Sequence, residues 1–152
     1  MKAAPTLEGG LRIDLESPID WMVLRCIPHD ARGTAIPLAD RMGGLMDSDP
    51  QAEDWREFVV PELHETFDSQ LTAVEQALEN AGADDGASEL FIKREEGELW
   101  YGALNQARMA LEERYQFLTT EPESMTPGTR SAYVRLSWYQ NLQYMLLRFV
   151  MR

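Results

Sequence analysis

The 152-residue chain has a single cysteine, Cys26, and only two histidines and two lysines. One cysteine can make neither an internal disulfide nor a cysteine-based zinc cage. Long apolar runs are missing too: residues 1 to 10 hold no stretch of the signal-peptide kind, and no segment nears the roughly 20 apolar residues that a membrane-spanning helix needs. A reducing, cytoplasmic location is the expectation. The sequence also has no Walker A loop, no Gly-x-Gly-x-x-Gly, no Gly-x-Ser-x-Gly, no His-Glu-x-x-His and no EF-hand loop. No catalytic residue, cofactor or metal is therefore assigned. The chain is read as leaning away from an enzyme without excluding one.

Basic charge is scarce, with 14 basic residues against 26 acidic ones and a net charge of −12. Such a surface repels nucleic acid and anionic membrane, so neither is expected as a partner. The 44% hydrophobic content is enough for a core, and about 150 residues fit one domain. The charge is unevenly spread. Residues 47 to 98 carry 16 acids and 3 bases, residues 1 to 46 carry 6 and 5, and residues 99 to 152 carry 4 and 6. One third of the chain holds the acidity, and the sharper reading of it is a surface that steers a basic protein partner. Its blander reading is a solvated face that keeps the protein in solution.

Hydrophobic periodicity predicts a mainly α protein: one helical domain over residues 11 to 152, preceded by a flexible residues 1 to 10. Leu11 to Glu16 alternates apolar and polar residues as a strand does, and Leu90 to Arg94 is its mate in a two-stranded antiparallel ribbon. Ser17-Pro18 starts a helix that Pro28 should stop, leaving His29 in a loop. Gly43-Gly44 weakens a short helix over Leu38 to Met46. Trp55, Val59, Leu63, Phe67, Leu71, Val74 and Leu78 form a helical stripe, with Pro61 predicting a kink near Phe58 to Val60. That helix should end at Ala81-Gly82, before an acidic loop over Ala83 to Ser88. Two more helices, over 95–118 and 129–151, bring the total to four or five. The last is apolar on most sides and is expected to be central.

Few residues suggest a site. His64 and Asp68 are one turn apart, but two groups are too few for a metal. Cys26 lies in an apolar helix and reads as a core residue. Tyr101, Asn105, Arg108, Glu112 and Tyr115, spaced 4, 3, 4 and 3, form a polar ladder on one helix face. Tyr101, Asn105, Arg108 and Glu112 are the candidate residues. They are either a structural network that fixes helix register or the wall of a pocket between the last two helices that holds a small anion or carboxylate. A second polar stripe, Ser137, Gln140, Asn141, Tyr144 and Arg148, could face the first. Surplus apolar surface on the first and last helices would also suit a homodimer.

Three stretches resemble one family: Leu99 to Leu111 with its Leu-Asn-x-x-Arg core, the helix Tyr133 to Val150 with its Trp138 to Leu142 turn, and Phe58-Val59-Val60-Pro61 leading into the long acidic helix. It is domain-of-unknown-function family two-thousand-seventeen, bacterial and found largely in actinobacteria, and the similarity spans roughly residues 11 to 151. The resemblance implies a small soluble helical protein with no assigned catalytic residues. Its genes often lie near the adaptor that delivers substrates to the Clp protease, which implies an interaction or regulatory role linked to Clp-type proteolysis. The chain departs from the family pattern at Glu112-Glu113-Arg114, where small and apolar residues are commoner.

Overall fold

Alternation in the first strand works as the pattern requires. Leu11 and Ile13 are buried while Arg12 and Asp14 lie on the other face of β2 (Leu11–Asp14). The structure is a computed structural model that describes residues 1–82 and 86–152. Residues 83–85 of the predicted acidic loop lie outside the described residues. β2 pairs antiparallel with β3 (Glu89–Ile92), Leu11 opposite Ile92 and Ile13 opposite Leu90, so four apolar side chains share the covered face. The predicted ribbon is in fact three-stranded. Residues 1 to 10, expected to be loose, supply β1 (Lys2–Pro5), which pairs antiparallel along the other edge of β2. The signal was weak because Lys2-Ala3-Ala4-Pro5 is too short and too poor in β-branched residues to read as a strand. A tight turn closes the hairpin, with the Thr6 hydroxyl accepting from Gly10 N–H and Gly9 at φ 86°.

Helix α1 (Pro18–Ala31) begins where Ser17-Pro18 places it, but Pro28 does not stop it. Proline removes the one bond its own N–H would make, and the next turn still forms, with Arg32 N–H reaching Pro28 C=O at 3.1 Å. His29 therefore sits in the last helical turn, not in a loop. α2 (Leu38–Gly44) follows and ends at the glycine pair. A short helical turn, α3 (Ala52–Asp54), then passes through a π-helical turn over Trp55–Val59 into α4 (Val60–Asn80). The wide turn is where Pro61 predicts a distortion: ahead of the proline the backbone takes an i→i+5 bond, Val60 N–H to Trp55 C=O.

After β3, α5 (Gly97–Tyr115) runs to Gln116, whose φ of 48° breaks the helix. α6 (Pro127–Phe149) starts at Thr126, whose side chain accepts from Thr129 N–H. The architecture is mainly α with a small antiparallel sheet, as the periodicity predicts. The central helix, however, is α5, which packs on α1, α4 and α6. Its small residues explain this: Ala103, Ala107 and Ala110 are buried, and a Cβ on Gly102 would run into the Gln70 side chain of α4. Neighbouring helices close on such a surface from several sides. α6, the more apolar sequence, keeps Tyr133, Val134, Tyr144 and Leu147 exposed. Among the described residues no helix is long and apolar enough to cross a membrane.

Candidate functional site

Asn105, Arg108 and Glu112 follow one another along a face of α5 and line one open hollow of about 310 Å³. Met109, Glu113 and Gln116 complete the α5 side, and Arg41 of α2 closes it. The pocket expected between the last two helices thus opens toward α2, and none of its lining residues comes from α6. Gln143 is the reason. It is buried in the α5–α6 seam, where its Oε1 accepts from Arg108 Nη1 and its Nε2 donates to the Tyr101 carbonyl at 3.2 Å. The seam is filled by protein, and Tyr101 belongs to that network rather than to the hollow.

The guanidinium of Arg108 is only partly satisfied. Nη1 donates to Gln143, whereas Nε is buried with no acceptor. Nη2 makes no hydrogen bond among the described residues, so it is the nitrogen through which Arg108 retains donor capacity at the hollow it lines. The Asn105 amide donates weakly to Met109 Sδ at 3.5 Å. The Glu112 carboxylate has no ion pair or hydrogen bond among the described residues, while that of its neighbour Glu113 takes Arg41 Nη2 at 3.1 Å. The second polar stripe does not face the first: Ser137, Gln140, Asn141, Tyr144 and Arg148 are exposed, and Arg148 donates to the Tyr144 hydroxyl on its own helix at 2.6 Å. Tyr115, last in the ladder, stacks on Phe117 at 5.6 Å.

Sequence reasoning missed Gln143 and a second polar group, Asp30 with Arg135 and Tyr139. Gln143 stands in register with Tyr139, Leu146 and Val150 on the core stripe of α6, and a polar residue at such a position was the available signal. Asp30 is buried and takes a bidentate pair from Arg135, Nε at 2.8 Å and Nη2 at 3.0 Å, and a hydrogen bond from the Tyr139 hydroxyl at 2.8 Å. These partners lie more than 100 positions apart, beyond the reach of any local pattern. The Asp30 hydrogen bond holds the Arg135 proton more tightly than usual, and burial, reinforced by Asp30, pushes the Tyr139 phenol well above its ordinary range. Partial burial also raises the thiol of Cys26, with Asp30 adding to it, which holds it protonated; the cysteine expected in the core is half-buried. This cluster is structural in form: every charge in it is paired inside the protein.

His64 does not pair with Asp68. Its Nε2 lies 3.1 Å from Asp40 Oδ1 and links α4 to α2. Asp68 instead lies 3.9 Å from Arg32. No group of three or more potential metal ligands occurs among the described residues.

A family model described as a domain of unknown function, DUF2017, matches residues 6–150. The chain belongs to the DUF2017 family. Neither the curated proteins nor the solved structures include a match to it. The match runs from the turn that follows β1 to the end of α6, so for this DUF2017 chain β2, β3 and the helices lie within the family's unit while β1 lies outside it, and Asn105 and Arg108 fall inside.

Proposed function

We propose that this DUF2017 chain is a non-enzymatic interaction or regulatory protein that offers an acidic helical face to a basic surface on a protein partner, in the service of Clp-type proteolysis. One observation carries the reading. Glu62, Glu65, Asp68, Glu75 and Glu79 of α4 are all exposed. Arg32 answers only part of that charge, pairing with Glu75 and approaching Asp68, and Glu62, Glu65 and Glu79 have no ion pair among the described residues. Same-sign charge concentrated on one rigid element steers encounter with an opposite surface and fixes its approach. The Clp part rests on what the family resemblance implies. The test is a reconstituted Clp protease with its adaptor and a delivered substrate. Added protein should change the degradation rate, and the effect should fade as salt screens the helix. An unchanged rate and no binding at low salt would overturn the reading.

A second reading, a domain that binds a small anion or carboxylate, is favoured by one specific observation: Arg108, whose Nη2 has no acceptor among the described residues, stands on the wall of the hollow that Asn105 also lines.

A further inference from the structure

The hollow on α5 is electrically balanced, and its two charge pairs are in different states. Arg41 and Glu113 are joined at 3.1 Å. Arg108 and Glu112 also line it, one helical turn apart and of opposite sign, yet no ion pair joins them among the described residues. Arg108 is drawn toward Gln143 on α6 through Nη1, which leaves its Nη2 without an acceptor and the Glu112 carboxylate without a partner among the described residues. A lone anion at Arg108 would meet Glu112 and Glu113, and a lone cation at Glu112 would meet Arg108. A ligand carrying both charges satisfies the two ends together. Arg108 and Glu112 stand four residues apart, about 6 Å along the helix axis, close enough for an ammonium and a carboxylate on one carbon to engage both long side chains.

We propose that this hollow is a binding site for a small zwitterion, an α-amino acid with an apolar side chain. Its carboxylate accepts from Arg108 and Asn105, its ammonium donates to Glu112, and its side chain lies on Met109. The inference rests on the carboxylate-binding reading above and narrows it to one ligand class. A planar guanidinium suits a carboxylate because it offers paired donors, and Asn105 adds an amide N–H already turned along the same face. The Arg41–Glu113 pair, already closed, forms a neutral wall that does not compete for either end of the ligand.

The experiment titrates the full chain with three probes of similar size: L-leucine, 4-methylpentanoate, which lacks the amine, and 3-methylbutylamine, which lacks the carboxylate. The readout is the affinity by calorimetry together with the nuclear magnetic resonance shift of the Asn105 side-chain amide. Leucine should bind at least about tenfold more tightly than either half-ligand and should move the Asn105 signal. Glu112→Gln should cost leucine about tenfold while leaving 4-methylpentanoate unweakened. Glu112 is half-buried and its carboxylate is bonded to nothing among the described residues, so this variant should fold. Binding of 4-methylpentanoate as tight as that of leucine would reject the zwitterion and leave the carboxylate reading standing. No shift of Asn105 with any probe would reject both.

Discussion

Asp30 is the charge whose burial matters most to stability. Its side chain is 5% exposed and depends on Arg135 and the Tyr139 hydroxyl to offset the loss of water. Arg135→Ala would leave the carboxylate buried with a single donor, and breaking such a pair costs about 3 kcal/mol. The expected result in urea denaturation is a lower midpoint with an unchanged slope. The neighbouring phenol and thiol add a pH dependence on the alkaline side. Tyr139 and Cys26 hold their protons more tightly folded than unfolded, so their contribution is full below the unfolded values, about 10 and 8.5, and is lost as pH rises through the folded ones. Stability should therefore fall above about pH 9, and Tyr139→Phe, though less stable at neutral pH, should fall less steeply. Denaturant midpoints between pH 8 and 10.5 check it. Arg108 contrasts with Asp30, since its partner across the α5–α6 seam is the neutral Gln143.

Among the elements, the junction of α2 with the start of α4 is closely packed. A Cβ on Gly43 would lie 2.8 Å from Val60 Cγ2, beside the π turn that Pro61 imposes. Gly43→Ala should cost about 1 to 3 kcal/mol, because the helices must separate or Val60 must leave its rotamer. Differential scanning calorimetry reads this directly as a lower Tm. That junction also shows what sequence could reveal. Pro61 announced a local distortion because proline acts within one turn, and the stripe from Trp55 to Leu78 announced the long helix because its period is local. The same logic misjudged Pro28, where the bonds on either side of the lost one were enough to carry α1 another turn. It also placed α6 at the centre on hydrophobicity. Close approach depends as much on small side chains, and α5 has the glycine and alanines that admit three neighbours. At the candidate site, helical spacing alone brought Asn105, Arg108 and Glu112 to one hollow. Arg41 and Gln143 came from other helices, and no spacing within α5 could have named them.

At the scale of the molecule, charge and surface point the same way. The chain exposes 9410 Å², whereas a compact monomer of 17.4 kDa exposes about 7,900 Å². The surplus is about twice the roughly 800 Å² that one partner contributes to a standard protein–protein interface. Part of it is apolar, including Ile19 and Met22 on α1, Phe58 in the π turn, and Val134 and Leu147 on α6. α4 carries five exposed acids and no lysine or arginine, in contrast to the nearly neutral α5–α6 pair. An acidic helix flanked by unfilled apolar positions is suited to a basic partner that also buries apolar area. The most direct test is the association rate of this protein with the purified Clp adaptor and protease across a salt series, beside a Glu62→Gln, Glu65→Gln, Asp68→Asn variant. The account predicts fast binding at low salt that slows steeply as salt rises, and a variant that binds more slowly with a flatter salt dependence. Binding that is absent at every salt concentration, or equally fast with and without those three carboxylates, would contradict it.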